Sequence, residues 1–592
     1  MCVLPDQRNS DPDPILGSAY DSDYQSVSTR VISAWHHTST KPCDPGNWVC
    51  NAEVDAVYIQ YIVADLRSVR DAHCHLDFEL MADFNIQSNL LVASAVGILI
   101  ILTWRIIFNV FFHPIAAVPG PRAAAASDLW LTWRTLSLRK CETLHECLST
   151  YGPVVRIAPN KIVVSSQTDI KTIYSIGSKC LKSQFYPPWG LNGASNIFST
   201  TDPKDHSIRR SITARTFSKQ SITKFLPELT KHAQALAERL EALSNKGSES
   251  APATISFIKY AKYLALDMLG SSVLDEDFGL LKRGVEHPFV HDLDAAALVI
   301  PARASLHTWL WNILKYLPIP QWRHFLGGEA RLAEYATKTV ERAFHESDQG
   351  KTDSLALVSS YANYEDANGV RLSTERIIGE IAAVYFAGTD TTSTTMGFTV
   401  YEIARRRDIQ DKLRAELAAK AGAGGRVSYD TLENNCPYLN AVISEALRLY
   451  GAIPSHLERV VPAGGITLST GNHVPAGTIV GVQAYSLHRD AAVFPEPELF
   501  DPDRWLHASP EMRKALSPWG FGSRICMGVH LAYIEFRLAL AVLVGNFHVT
   551  LPEGFDHERM RMKNFWFVFP IGGKLDIVVK RLRDAEGVTV CA

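Results

Sequence analysis

The chain has 592 residues, and its 59 basic and 62 acidic residues leave a net charge of −3. A charge this close to zero provides no electrostatic basis for binding nucleic acid. Its ten cysteines include no Cys-x-x-Cys pair, which argues against a zinc module and a disulfide scaffold. Length alone predicts three or four domains, at roughly 150 residues each.

Residues 1–80 show no sustained hydrophobic periodicity and stay unassigned. Two interpretations are open: a disordered extension on the lumenal side, or a start site placed too far upstream. The second arises because Met81 stands where a membrane-anchored chain would begin, shortly before an apolar stretch.

Leu90 to Phe112 is apolar except for Thr103, Arg105 and a few small polar residues. It is long enough to cross a bilayer core, which needs about 20 residues, and Arg105 lies toward one end, where its charge reaches the interface. The sequence therefore predicts a single transmembrane anchor at 90–112 and a proline-rich hinge at 113–121. The charges that favour a cytosolic location for the following domain are Arg122, Arg134 and Arg139 beyond the span and Asp83 before it.

The pattern after the hinge is mostly helical. A β-hairpin is predicted from Val154 to Val164, and a second β-rich stretch from Ile466 to Ser486. Gly, Ser and Ala dominate Ser244 to Thr254 and Ala421 to Arg426, which predicts surface loops. The expected fold class is therefore mainly α with small β-sheets.

Polar residues occupy informative positions in three predicted helices. His206 and Arg210 are four residues apart and share a helix face, as do Glu445 and Arg448, three apart. A long helix from Ser373 to Arg405 holds Ala387-Gly-Thr-Asp-Thr-Thr392, a run of poor helix formers. Thr and Asp side chains compete for backbone hydrogen bonds, so the helix is expected to open or bend there and leave a groove.

One cysteine stands in a glycine-rich loop, Trp519-Gly-Phe-Gly-Ser-Arg-Ile-Cys526-Met-Gly528. Gly520, Gly522 and Gly528 let the backbone turn tightly and approach a flat ligand. The apolar spacing that follows predicts a helix ending at Gly545, whose N-terminal dipole and free amides would favour a Cys526 thiolate. With Arg524 available to bind a propionate, the loop has the composition of a haem-iron site. The alternative is a buried structural cysteine, and the surrounding glycines and arginine count against it.

This loop resembles the haem-binding signature of the cytochrome P-450 family, Phe-x-x-Gly-x-Arg-x-Cys-x-Gly, with Trp519 in place of the Phe. Ala387 to Thr392 resembles the family's Ala/Gly-Gly-x-Asp/Glu-Thr-Thr motif. Glu445-Ala-Leu-Arg448 and Phe500-Asp-Pro-Asp-Arg504 are similar to two further family stretches. The motifs occur in the family's order and must converge on one cofactor, so 122–583 is predicted to be one catalytic domain of the P-450 fold, with a C-terminal tail at 584–592.

The resemblance implies roles for these residues. Cys526 would be the axial thiolate ligand of haem b, and Asp390 and Thr391 would deliver protons during oxygen cleavage. The other residues implied to contact the haem are His206, Arg210, Ala387, Gly388, Arg459, Trp519, Gly522, Arg524 and Gly528. Glu445, Arg448 and Arg504 would form a buried salt-bridge network that serves folding rather than chemistry.

The resemblance further implies a membrane-anchored haem-thiolate monooxygenase. It would insert one oxygen atom of dioxygen into a lipophilic small molecule, with electrons from NADPH through a separate NADPH–cytochrome P-450 reductase. The expected setting is fungal secondary metabolism (a terpenoid, polyketide or alkaloid intermediate) at the endoplasmic reticulum membrane, with the catalytic domain in the cytosol. The candidate substrate-lining segments are Phe185 to Leu191, Ile453 to His456 and Phe565 to Phe567.

Two alternatives stay open on the sequence. One is a P-450-like isomerase, dehydratase or peroxygenase, against which the intact Asp390–Thr391 pair counts. The other is a haem-binding module without catalysis, which would not need an oxygen groove.

Overall fold

The computed structural model describes residues 88–191, 193–248, 252–285, 287–349, 356–366, 368–582 and 587–591, together with Gln60 and Ala64. The two interpretations of residues 1–80 therefore lie outside the described residues, apart from those two positions.

The predicted anchor coincides with a long helix, α1 (Ser88–Phe112), whose last turn, Phe108–Phe112, is π-helical. Its mean hydropathy is 2.4, and its large apolar side chains are exposed, Leu91 by 72%. By length and composition it is a candidate membrane span.

Helices dominate the rest of the described chain. They are α2 (Arg122–Ala126), α3 (Leu129–Leu136), α4 (Lys140–Tyr151), α5 (Gln167–Tyr174), α6 (Pro203–Thr216), α7 (Lys219–Thr223), α8 (Leu226–Ser244), α9 (Phe257–Leu269), α10 (Leu280–Arg283), α11 (Pro288–Ser305), α12 (Thr308–Leu314), α13 (Pro320–Asp348), α14 (Leu357–Ala362), α15 (Thr374–Arg405), α16 (Arg407–Lys420), α17 (Tyr429–Asn434), α18 (Pro437–Tyr450), α19 (Ala484–Leu487), α20 (Pro510–Ala515) and α21 (Val529–Asn546).

The strands are short. They are β1 (Val154–Ala158), β2 (Lys161–Val164), β3 (Leu181–Lys182), β4 (Ile255–Ser256), β5 (Arg426–Ser428), β6 (Arg459–Val460), β7 (Ile466–Thr467), β8 (His473–Val474), β9 (Ile479–Val482), β10 (Phe547–Thr550), β11 (Met562–Phe565), β12 (Phe567–Pro570), β13 (Asp576–Arg581) and β14 (Thr589–Cys591).

Most strands join small sheets around the helices. The predicted hairpin is confirmed: β1 and β2 pair antiparallel, with Val155 opposite Val163, in a sheet of order β1-β2-β9-β6-β3. The second β-rich stretch ends earlier than predicted, at Val482, because α19 follows it as a helical turn packed against α4. Within the predicted tail, β14 pairs in parallel with β5.

Helix α15 lies at the centre of the largest hydrophobic cluster and contacts α9, α13, α18 and α21. Its start follows Ser373, whose extended backbone (φ −68°, ψ 151°) places it at the N-cap position. Gly388 allows α9 to approach closely, since a Cβ there would lie 2.9 Å from the Leu269 side chain.

The expected opening of this helix at 387–392 is wrong. The helical hydrogen bonding is continuous from Thr374 to Arg405. The hydroxyls of Thr389 and Thr391 donate back to the carbonyls of Tyr385 and Ala387, at 2.8 and 2.7 Å, so they add to the helical bonds instead of replacing them.

The helix after Cys526 is the second helix that is apolar enough to cross a membrane, with a mean hydropathy of 1.3. In contrast to α1, 78% of its most apolar stretch is buried inside the protein. Helix α21 is therefore a core helix, and it contacts α15 and α18. It directly follows the glycine-rich loop from Trp519 to Gly528, which we call the cysteine loop.

Candidate active site

Local geometry explains most of the cysteine loop. Gly522 has a φ of +59°, and a Cβ there would lie 1.8 Å from the Tyr174 carbonyl oxygen, so only glycine fits. The Cys526 amide donates to the Trp519 carbonyl at 2.9 Å, which closes the loop. Gly528 has an ordinary φ of −77°, so the expected need for backbone freedom does not hold there. Instead, its amide hydrogen-bonds the Cys526 sulfur.

Opposing effects act on the ionisation of Cys526, whose surface is open to the space beside it. Burial raises the pKa of the Cys526 thiol above its usual value, and the Gly528 amide and the Arg210 charge only partly oppose that effect. The helix starts at Val529, three residues beyond the cysteine. The sequence expectation that the helix N-terminus favours a thiolate therefore stays a prediction.

The Cys526 side chain faces internal space between its loop and α15. This space consists of two adjoining parts of about 210 Å³ each, which share Ala387, Thr391, Trp519 and Arg524 as lining residues. We call the two parts together the cysteine cavity.

Basic side chains surround the cysteine cavity. Lys182, His206, Arg210 and Arg524 line it, and Arg459 lies behind Arg524, where it donates to the Glu458 carbonyl at 2.8 Å. Within the described part of the chain, none of these five forms an ion pair. Burial first, and mutual repulsion second, lower the pKa of Arg524 to about 10 and that of His206 to about 3.

A flat cofactor with two carboxylates fits this arrangement. Arg210 and Arg524 now donate to the carbonyls of Ile525, at 2.6 Å, and Thr200, at 3.1 Å, so no carboxylate neutralises them. Both guanidinium groups are only partly buried, and a carboxylate partner would stabilise their charge there. The cavity, the sulfur and the unpaired cations together match haem b and its propionates.

Lys182 is a site residue that the sequence reasoning missed. It is 7% exposed, lies 4.4 Å from the Tyr186 ring, and donates to the Phe198 carbonyl. Burial and the charges of Arg524 and Arg459 hold its pKa well below the usual range. Nothing in its local sequence signals this role, because its neighbours come from distant segments.

Glu535 is the second missed residue. It lines the cysteine cavity, is 2% exposed, and hydrogen-bonds Thr392. Burial raises the pKa of this carboxyl well above its usual range. An acidic residue in the middle of an apolar helix is the signal that could have identified it.

Asp390 and Thr391, which are expected to deliver protons, lie in different environments. Thr391, together with Ala387 and Gly388, lines the cysteine cavity. Asp390 is not among the lining residues, and its carboxylate lies 2.8 Å from the Lys262 ammonium, which also pairs with Asp294. The structure thus brings the hydroxyl, but not the carboxylate, to the cavity.

The three residues of the implied salt-bridge network meet in the core. Glu445 and Arg448 are fully buried and form a bidentate pair, with both N–O distances at 2.8 Å. Arg504 donates to Glu445 at 3.1 Å, and the Trp505 indole donates to the same carboxylate at 2.8 Å.

The sequence model of the cytochrome P450 family matches residues 125–574. A solved structure, the cytochrome P450DA heme domain, superimposes with a TM-score of 0.58 over 73% of this chain and 88% of its own, at 21% identity. The fold is thus that of a P450 haem domain, mostly helical with small sheets.

Curated relatives agree with this fold. Cytochrome P450 monooxygenase tazI of Aspergillus terreus is 29% identical over 81% of this chain and 96% of its own length. Tryprostatin B 6-hydroxylase of Neosartorya fischeri is 30% identical over 79% of this chain and 82% of its own. The chain belongs to the cytochrome P450 family, and its enzymatic class is that of a monooxygenase.

Proposed function

We propose that Cys526 is the axial ligand of haem b and that this enzyme hydroxylates a lipophilic small molecule. The observation that carries the proposal is a single cysteine facing a cavity lined by Arg210 and Arg524, which have no carboxylate partner within ion-pair distance in the described chain. Haem bound there supplies the oxygen-activating chemistry of the family. A positive metal ion at the sulfur would offset the burial that now raises the pKa of the thiol.

The residues around Cys526 bind the cofactor and orient it. His206, Arg210 and Arg524, with Arg459 behind them, are the candidates to hold the propionates, and Lys182 adds a further charge. Ala387 and Gly388 leave room above the sulfur because their side chains are small. Trp519 contributes an aromatic wall, as the Phe of the family signature would.

The Thr391 hydroxyl is the group best placed to move a proton at the cavity. It lines the cavity and now donates to the Ala387 carbonyl. We infer that Asp390 supplies protons to it, which requires the carboxylate to leave the Lys262 ammonium.

The substrate is lipophilic because most other lining residues are apolar: Phe198, Leu269, Val384, Ile453, Leu457 and Trp566. Of the predicted substrate segments, Ile453, Ser455 and Trp566 contribute to the lining. By analogy with a relative named a tryprostatin hydroxylase, we infer a terpenoid, polyketide or alkaloid intermediate of fungal secondary metabolism.

We infer that α1 is a single-pass anchor in the endoplasmic reticulum membrane, with 113–121 as hinge and 122–583 as a cytosolic catalytic domain. The support is its length of 25 residues and its exposed apolar surface. Electrons would come from NADPH through a separate NADPH–cytochrome P450 reductase.

Replacing Cys526 tests the proposal. The reduced carbon monoxide complex of the parent protein should show the red-shifted Soret band of a haem thiolate, and Cys526→Ser should lose both the band and the activity. Cys591→Ser, which changes a cysteine in β14, is the matched control and should keep both. A Cys526→Ala protein that retained the thiolate-type spectrum would contradict the ligand assignment.

The same preparation separates the alternative activities. A monooxygenase consumes NADPH only when substrate and reductase are both present. An isomerase, dehydratase or peroxygenase would turn over without NADPH, and a non-catalytic module would not turn over at all.

A further inference from the structure

A second cavity, of about 240 Å³, lies between α3, the end of α11 and the strands β2 and β9. Its apolar lining residues are Leu131, Phe185, Ala304, Leu306 and Ile479, and the uncharged polar side chains of Thr132, Thr135, Gln184 and Ser305 also line it. Its charged and titratable lining residues are Asp128, Lys140, Lys161, His307 and Glu458. We call this space the lysine cavity.

Most charges of the lysine cavity are already paired. Lys161 lies 2.8 Å from Glu458, which also accepts a hydrogen bond from Ser183 at 2.6 Å. Burial alone would raise the pKa of Glu458, but the attraction of Lys161, His456 and Lys140 holds it well below the usual range. This carboxylate therefore stays ionised and is satisfied mainly by Lys161. Asp128 interacts with the same lysine from the start of α3.

Lys140 is the lysine of this cavity that has no ion-pair partner in the described chain. Its side chain lines the cavity, the residue is only 5% exposed, and in the described chain no carboxylate lies within ion-pair distance of it. The nearest ring is that of Phe185, at 5.9 Å. Burial lowers its pKa to about 8, with Glu458 opposing the shift, so the amine still carries its proton at pH 7.

A buried ammonium without a counter-charge is costly, and an anion in the cavity would remove that cost. The apolar lining residues indicate that the rest of the ligand is apolar. A carboxylate attached to an apolar body matches both the lysine and its surroundings.

Two stacked aromatic rings lie between the lysine cavity and the cysteine cavity. Phe185 stacks on Trp566, with ring centroids 5.8 Å apart and an interplanar angle of 25°, and Trp566 lines the cysteine cavity. Next to Lys140, Cys141 lies close to Ser455, which also lines the cysteine cavity. A molecule held at Lys140 would thus reach the cysteine cavity by displacing two stacked rings.

We propose that Lys140 binds the carboxylate of a lipophilic substrate, whose apolar part passes Phe185 and Trp566 toward Cys526. The proposal rests on the proposed function and narrows the substrate class to lipophilic acids.

The probe for this site is dansyl-labelled undecanoate, compared with its methyl ester. Binding to the full-length, haem-loaded protein is followed by quenching of the dansyl fluorescence. The parent should bind the acid about tenfold more tightly than the ester, the difference that one charge-assisted contact provides. Lys140→Met should abolish this preference, Lys140→Arg should keep it, and Lys179→Met, at an exposed lysine, should bind as the parent does.

A second variant covers the case in which Lys140→Met does not fold. Leu306→Glu adds a negative charge to the same cavity and should weaken binding of the acid more than binding of the ester. Equal affinities for acid and ester in the parent, no binding of either, or an acid preference that both variants retain would overturn the proposal.

The spectrum of the reduced carbon monoxide complex keeps the two proposals apart. A normal red-shifted Soret band without a Lys140-dependent acid preference contradicts the lysine cavity alone. An abnormal band with a Lys140-dependent preference contradicts the haem assignment alone.

Discussion

The buried pair Glu445–Arg448 illustrates how much a single side chain can contribute to this fold. Arg448 satisfies Glu445 and also donates to three backbone carbonyls, those of His488 (2.8 Å), Pro497 (2.6 Å) and Leu499 (3.0 Å). It thereby ties α18 to the segment that leads to the cysteine loop.

Arg448→Ala should therefore prevent stable folding. Removing one partner of a buried ion pair costs about 3–5 kcal/mol, because the other charge is left unpaired. We expect little soluble, haem-containing protein, measured as the haem-to-protein ratio after purification. Lys412→Ala is the control: Lys412 pairs with Asp503 at 2.6 Å, but both side chains are about half exposed, so the loss should stay below about 1 kcal/mol. A normal haem content in Arg448→Ala would show that the network is dispensable.

Thr391 and Thr389 allow a matched test of the proton-relay role. Both hydroxyls donate to the carbonyl four residues earlier, but only Thr391 lines the cysteine cavity. Thr391→Ala should leave the haem spectrum unchanged while lowering the product formed per NADPH and releasing peroxide. Thr389→Ala should keep the parent's ratio. Equal coupling in Thr391→Ala and the parent protein would eliminate the relay role.

At the scale of elements, α15 forms as predicted and differs only in its middle. Its bounds follow from capping and apolar spacing, which are local. Its middle stays helical because α9 and α21 pack around it and the threonine hydroxyls bond within the helix. Packing thus overrides the weak helix propensity of Gly388 to Thr392.

His488 connects α18 to the cysteine loop. One ring nitrogen lies 2.9 Å from the Arg448 carbonyl, and the other accepts from the Ser517 amide at 2.9 Å. Burial and the Arg489 charge lower the pKa of His488 to about 3. Because the unfolded chain binds the proton more readily, the stability from this neutral histidine is complete above about pH 6.5 and is lost as the pH falls toward 3.

The free energy of unfolding should therefore drop between pH 6.5 and 4, with about 3 kcal/mol of the loss due to His488. Urea unfolding followed by tryptophan fluorescence at several pH values measures it. His488→Asn should be less stable at pH 7 but show a flatter profile over this range. His473→Asn, at an exposed histidine, serves as the control and should follow the parent. A parent profile that is flat from pH 6.5 to 4 would contradict the assignment.

At the scale of the whole molecule, two helices of the described chain are apolar enough to span a membrane, and they differ in how much of their surface is buried. Helix α21 is buried in the core, whereas α1 exposes its apolar side chains. Hydropathy alone cannot make this distinction, because a core helix and a lipid-facing helix have similar compositions.

Removing residues through Phe112 should release the protein from the membrane fraction in carbonate, while haem binding persists, since the residues that line the cysteine cavity begin at Lys182. A protein that starts at Met81 is the control and should stay in the pellet with full activity. Some peripheral binding is expected to persist at low salt, given the exposed Trp309 and Tyr316. Pelleting of the truncated protein in carbonate would show that α1 is not the only anchor.

The amino-acid sequence by itself determined the local features. The cysteine loop, the bounds of the long helix, the hairpin at 154–164 and the pairing of Glu445 with Arg448 depend on residues close together in the chain. Turn residues, caps and periodic apolar spacing act over a few positions, so the order of the residues is enough to predict their effect.

Only the tertiary structure decided the electrostatics of the site. Lys182 joins Arg459 and Arg524 from distant segments, Asp390 pairs with Lys262 across two helices, and burial raises the pKa of the Glu535 carboxyl. The raised pKa of Cys526 has the same cause. Burial and charge–charge distances arise from packing between segments far apart in sequence, and they set the protonation state of each group.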